Sequence, residues 1–166
     1  MKIISIDVGT SSMKTVLYDE GGHLLKLFSH EYYSEYPAPD YVEQNPLSWK
    51  EALEDVLSQM GKYCQEEGIH IDGIAVTSQR SSMIPVDVDG NPLYNAIMWQ
   101  DKRTLSQCDK LIEEYGLEYF YNKTGLRINP YFVLPKIMWL RQNEKEIYDR
   151  AHKFIGVQDY VVYLLT

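Results

Sequence analysis

Cysteine is scarce in this chain of 166 residues: there are two, Cys64 and Cys108. They lie far apart and form no C-x-x-C pair, so they read as reduced thiols rather than as a disulfide framework or a metal site. An excess of positive charge is also missing, since 16 Lys and Arg face 24 Asp and Glu for a net charge of -8. A nucleic-acid binder needs clustered cations to neutralise phosphates, and the balance argues against that class of partner. No apolar run approaches the roughly 18 residues of a membrane-spanning helix. Met1–Asp7 is too short, and too soon interrupted by an acid, for a signal peptide. The four histidines, His23, His30, His70 and His152, show no metal-ligand spacing. Neither G-x-x-x-x-G-K-[ST] nor G-x-G-x-x-G occurs, so the two commonest nucleotide signatures are absent. The sequon Asn122-Lys123-Thr124 is read as chance.

What is present fits one compact domain. Apolar residues make up 45% and charged residues 24%, ordinary for a globular protein. Fourteen tyrosines dominate the aromatic share of 13% and suit half-buried positions, with ring packed and hydroxyl wet or bonded. Three β-rich runs, 2–7, 12–18 and 23–29, are separated by turns at Gly9 and at Asp19-Glu20-Gly21-Gly22, which predicts an antiparallel meander. Pro37-Ala38-Pro39-Asp40 cannot pair in a sheet. Asn45-Pro46 opens a helix to about Glu67 whose buried stripe is Trp49, Leu53, Val56, Leu57, Met60 and Tyr63, with Gly68 as its stop. Residues 71–77 are apolar and β-branched enough for a central strand. Residues 83–86 form another, followed by a turn over 87–92. From Leu105 the pattern is helical, broken at Gly116, Gly125 and Asn129-Pro130. Pro135 suits a first helical turn, residues 153–156 read as a short strand, and 159–165 as a last helix. That helix ends apolar and uncapped, as if the chain continued. The order of elements predicts an α/β layered domain.

The chemistry-bearing candidate is the turn after the first strand, Asp7-Val8-Gly9-Thr10-Ser11-Ser12. Phosphates are held by closely spaced backbone N–H groups and hydroxyls, and a glycine lets the chain approach an anion. Gly9, Thr10, Ser11 and Ser12 offer that. Asp7 could hold a hydrated Mg2+ ion, which prefers one or two carboxylates plus phosphate oxygens. Lys14 could reach a transferring phosphoryl group. From these residues alone an ordinary hairpin fits as well.

Four segments in register favour the phosphate reading. Asp7-Val8-Gly9-Thr10-Ser11-Ser12-Met13-Lys14 is followed by Thr77-Ser78-Gln79-Arg80 and then by Ala96-Ile97-Met98-Trp99-Gln100-Asp101. Thr124-Gly125-Leu126 leads to Tyr131-Phe132-Val133-Leu134-Pro135-Lys136, and Asp159-Tyr160-Val161-Val162-Tyr163 closes the series. Together they resemble the opening of the FGGY carbohydrate kinases, with the glycerol kinase and xylulokinase branches both in view. The resemblance implies a ribonuclease H-like domain of the actin and hexokinase type: a mixed sheet opening with three antiparallel strands and flanked by helices. It implies ATP and Mg2+ as cofactors, a small sugar, ketose or polyol as acceptor, and a cytoplasmic enzyme. Residues 1–166 would be part of the first domain only. The catalytic base, an aspartate late in that domain, would lie beyond Thr166 along with the second domain, so this stretch alone would be inactive.

By the same resemblance Arg80, Trp99 and Tyr131 line the acceptor pocket, with Gln79 and Ser81 beside them. Judged from the residues alone, Arg80 could be an ion-paired surface arginine, Trp99 a core tryptophan and Tyr131 an exposed loop residue. Glycerol kinases carry an acid after the arginine, where Ser81 stands here, so a larger polyol or a ketose fits at least as well as glycerol. Asp101, Lys102 and Arg103 read as a salt-bridged turn. A homodimer is one arrangement open to the full-length protein. The alternative function is an actin-like ATP-binding module whose nucleotide state controls a protein partner; a fragment that only binds a partner is a third.

Overall fold

The structure, a computed structural model, describes residues 1–166. In chain order the elements are β1 (Ile3–Val8), β2 (Ser12–Tyr18), β3 (Leu24–Glu31), β4 (Glu43–Gln44), α1 (Pro46–Glu66), β5 (Gly73–Ser78), β6 (Ile84–Val86) and β7 (Ala96–Ile97). They continue as α2 (Leu105–Tyr115), α3 (Leu117–Thr124), α4 (Val133–Asn143), α5 (Lys145–Arg150), β8 (Lys153–Ile155) and α6 (Val157–Leu165). They fall into two compact units: residues 1–33, 45–80 and 157–166 in the first, and 34–44 with 81–156 in the second.

The first unit is built on a sheet of order β3-β2-β1-β5. The meander pairs antiparallel as the turn signals predict, and β5 joins parallel to β1, which makes the sheet mixed. Alternation assigns the faces: Ile4, Ile6 and Val8 of β1 and Met13, Thr15 and Leu17 of β2 are buried. On that side α1 packs against β2 and β3, and α6 packs against β5 and α1. Helix α1 starts where Asn45 Oδ1 accepts the Leu47 N–H at 3.0 Å, with Pro46 at its first position. It buries Trp49, Ala52, Leu53, Val56, Met60 and Cys64; Leu57 and Tyr63 are half-buried rather than core. Beyond its end Gly68 adopts φ 64°, left-handed backbone that favours glycine.

One expectation is corrected. The strand read as central over 71–77 spans Gly73–Ser78 and occupies the edge of the sheet, with Ile74 49% exposed. An apolar, β-branched run reports burial potential, and no neighbouring strand within this chain uses it.

In the second unit strands are short. β4 pairs antiparallel with β7, and β6 with β8. The core is Met83, Ile97, Trp139 and Leu140, with Tyr41, Tyr94, Val133, Ile137, Ile147 and Phe154 packed on it. α2 packs on α4, joined by a Gln107 Nε2 to Gln142 Oε1 hydrogen bond of 2.8 Å. Breaks fall at Gly116 and Gly125, as expected. β4, β7 and the separate helix α5 are additions that no periodicity announced.

Candidate functional site

In the first unit the site is the junction between β1 and β2. Gly9 donates its N–H to the Ser12 carbonyl at 2.9 Å, and a Cβ at position 9 would stand 3.0 Å from that same oxygen. Crowding inside the turn therefore favours the glycine, and its N–H is committed to the turn rather than to an anion. The neighbouring carbonyls are engaged as well. Gly9 O accepts from the Tyr32 hydroxyl at 2.7 Å and from Gln79 Nε2 at 3.1 Å, and Ser11 O accepts the Tyr32 N–H at 3.0 Å. Hydrogen bonds to these oxygens offset part of their negative potential beside the turn.

Register sets the charges beside that turn. Asp7 pairs with Lys14 across β1 and β2, and with Thr77 across β1 and β5; Lys14 pairs in turn with Ser29. Directly opposed residues share a face. Ser29, Lys14, Asp7 and Thr77 thus form a polar lane across four strands, all four exposed, on the face opposite the buried Ile6, Val8 and Met13. Ser11 is exposed and Thr10 and Ser12 are half-buried.

Tyr32 was not found by sequence reasoning. It is 3% exposed, with Trp49 edge-on at 6.5 Å between ring centroids. Burial, and secondarily the charge of Asp7, push its hydroxyl well above the ordinary tyrosine range, so it stays a neutral donor to Gly9. Gln79, expected among the acceptor residues, spends its Nε2 on the loop and its backbone N–H on Val8 O at 2.9 Å. Arg80 is exposed at the end of this unit.

The second unit contains Ser81, Trp99 and Tyr131. Trp99 is not the core tryptophan that its apolar neighbourhood suggests. Ala96, Ile97 and Met98 are buried, while Trp99 is half-buried and meets Tyr131 with ring centroids 5.7 Å apart. The two rings wall a cleft of about 510 Å³ whose other sides include Lys102, Leu105, Asn129 and Pro130. Asn129 Oδ1 accepts the Tyr131 N–H at 2.9 Å, a side-chain turn that fixes the residue just after the helix break. The Trp99 N–H is held by Ser82 Oγ at 3.0 Å. Ser81 does not line the cleft; it adopts φ 65°, and its carbonyl accepts from Lys136 Nζ at 2.7 Å.

A buried ionic cluster adjoins the cleft through Asp101, which is among the residues that line it. Arg103 binds Asp101 Oδ2 at 2.7 Å and Glu43 Oε1 at 2.8 Å, and its guanidinium stacks 3.8 Å from the Tyr41 ring centroid. Burial alone would lower the guanidinium pKa; its bonds to Asp101 and Glu43 outweigh that and raise it. Asp101 Oδ2 also accepts the Val42 N–H at 2.6 Å, and Glu43 Oε2 accepts from Asn95 Nδ2 at 3.1 Å. The salt-bridged turn read at 101–103 is therefore present, with Glu43 as a further partner that lies 60 residues from Arg103.

A meander extended by a parallel strand, helices over one face and a polar turn at the β1–β2 junction define the ribonuclease H-like class of the actin and hexokinase ATPases. Within that class the chain belongs to the FGGY family of carbohydrate kinases, whose N-terminal domain matches residues 2–166. It is 36% identical over 164 residues to the xylulose kinase of Lactococcus lactis subsp. lactis (strain IL1403), covering 99% of this chain and 32% of that protein. It is 38% identical over 171 residues to the glycerol kinase of Aquifex aeolicus (strain VF5), covering 99% of this chain and 34% of that protein. The crystal structure of Plasmodium falciparum glycerol kinase with ADP superposes with a TM-score of 0.92 at 28% identity, over 98% of this chain and 33% of that one. The chain thus spans about a third of the length of the curated relatives it matches. No helix is long and apolar enough to cross a membrane.

Proposed function

We propose that these 166 residues are part of the N-terminal domain of a cytoplasmic enzyme that transfers the γ-phosphoryl group of ATP to a hydroxyl of a small sugar, ketose or polyol. The observation that carries the reading is the turn at Gly9–Ser12. Its carbonyls are tied down by Tyr32, Gln79 and Gly9 itself, and the opposed charges of Asp7 and Lys14 stand beside it. Phosphoryl transfer asks mainly for positioning and for neutralisation of charge on the phosphoryl oxygens. Thr10, Ser11 and Ser12 supply donors to the phosphate, and Lys14 supplies positive charge near the transferring group.

Nowhere do three or more His, Cys, Asp or Glu side chains gather into a metal cage. Mg2+ keeps waters and phosphate oxygens and takes one or two carboxylates, and the exposed carboxylate of Asp7 beside the turn is one such donor. Asp7 would hold it, through water, and the ion would neutralise charge on the phosphates. On the acceptor side, Trp99 and Tyr131 offer ring faces to the C–H surface of a sugar or polyol, and Arg80 offers a fork of donors to its hydroxyls. Gln79 supports the loop, and Ser81, which lies off the cleft, acts through its carbonyl bond to Lys136 rather than by touching the acceptor. The base that takes the hydroxyl proton lies outside these residues.

The test is an ADP-release assay on the full-length protein against D-xylulose, glycerol and a panel of other ketoses and polyols. At least one acceptor should be phosphorylated, and Arg80→Ala should lower its kcat/KM by about tenfold or more. ATP hydrolysis that ignores every acceptor and responds only to a protein partner would replace this reading with the regulatory ATP-binding module.

A further inference from the structure

Lys136 is fully buried, with 0% of its surface exposed. On α4 it precedes Trp139 and Leu140 by three and four residues, so it occupies a core position of the apolar stripe. A lysine there is unusual, because burial of an ammonium is unfavourable unless the group is bonded. Its Nζ donates to the carbonyls of Ser81 and Tyr131, each at 2.7 Å.

Both partners are attached to the walls of the cleft. Tyr131 supplies one ring itself. Ser81 precedes Ser82, whose Oγ accepts the Trp99 N–H at 3.0 Å, and the Trp99 and Tyr131 rings meet at 5.7 Å. A closed circuit results: Lys136, Ser81, Ser82, Trp99, Tyr131 and back to Lys136. Ser81 also holds φ 65° without being glycine, a strained conformation that persists only where its surroundings fix it. The bond from Lys136 to its carbonyl is such a fixing contact.

We propose that Lys136 is a positioning residue for the acceptor cleft: its ammonium holds Ser81 and Tyr131 by their carbonyl oxygens and so sets the stance of the Trp99 and Tyr131 rings. The function of that stance rests on the kinase reading above; the geometry does not. Burial pushes the Lys136 ammonium down to about 8, with Asp101 and Cys108 favouring the charged form and Arg103 opposing it. Its two charge-assisted bonds therefore weaken as pH rises through about 8.

The experiment uses the full-length protein and two readouts. Near-UV circular dichroism between pH 7 and 9 should show a transition centred near 8 in the wild type, absent from Lys136→Met and from Trp99→Phe. In steady-state kinetics with D-xylulose or glycerol, Lys136→Met should raise the acceptor KM about tenfold while the KM for ATP and kcat hold within about twofold. Should Lys136→Met lack a cooperative unfolding transition, Ser82→Ala, which cuts the circuit at Trp99, takes its place in both readouts. A near-UV spectrum of folded Lys136→Met identical to that of the wild type at pH 7 overturns the proposal. So does an unchanged acceptor KM, or a uniform loss in both substrates' KM and kcat, which is the mark of a merely structural lysine. A wild type with the pH transition but no phosphorylated acceptor would remove the kinase reading and leave the positioning role standing.

Discussion

In the unit that carries the loop, strands of six to eight residues share one continuous sheet, and the candidate groups are placed by register. In the unit that carries the aromatic cleft no strand exceeds three residues. There the candidate groups are held by side chains reaching to backbone: Lys136 to Ser81 and Tyr131, Ser82 to Trp99, Asn129 to Tyr131. The contrast suits the two tasks proposed. Every phosphate has the same shape, and a backbone turn set by sheet register and braced by Tyr32 and Gln79 can serve it. Acceptors differ, and side-chain struts allow ring walls to be moved without rebuilding a sheet.

Substitutions should separate the two designs. The largest effect belongs to Arg103→Met, which leaves Asp101 and Glu43 buried without their partner and should cost about 3–5 kcal/mol in denaturant unfolding. Gly9→Val comes next. A Cβ 3.0 Å from a backbone oxygen forces the turn to open at a cost of about 1–3 kcal/mol, and kcat should fall while acceptor binding by titration calorimetry is kept. Asn45→Ala removes one helix cap and should cost about 1 kcal/mol, read as a small shift in midpoint.

The smallest effect is a pH dependence. His30 Nδ1 meets Asp55 Oδ2 at 2.7 Å and lowers the Asp55 pKa. A carboxylate with a lowered folded pKa stabilises above its unfolded value, and that stability is lost as pH falls through the folded one. Because the Asp55 side chain is still open to solvent, 43% exposed, the loss should be slight, and Asp55→Asn should abolish it in acid unfolding curves.

The first unit was largely legible because its signals are local. Alternation in residues 3–8 and 12–18 names the buried face, and Asn45-Pro46 and Gly68 bracket α1. The pairing of Asp7 with Lys14 follows once the turn length is known. What the sequence concealed is long-range and polar. Nothing local ties Tyr32 to Gly9, Gln79 to the same carbonyl, or Glu43 to Arg103. Trp99 shows how a local rule misleads: an apolar run predicts a buried tryptophan, yet the run ends in the core at Met98 and the next residue faces the cleft. Lys136 did leave a trace, as a lysine three and four residues before Trp139 and Leu140 on an apolar stripe. Only its two carbonyl partners explain it.

On the reading proposed above, the Asp7–Ser12 turn handles phosphate in a carbohydrate kinase. The most direct test of that reading is Asp7→Asn in the full-length protein, assayed for ADP release at saturating ATP and acceptor. A fall in kcat on the order of 10²-fold, with acceptor affinity by calorimetry unchanged, is the predicted result. Undiminished turnover in the folded variant would contradict it.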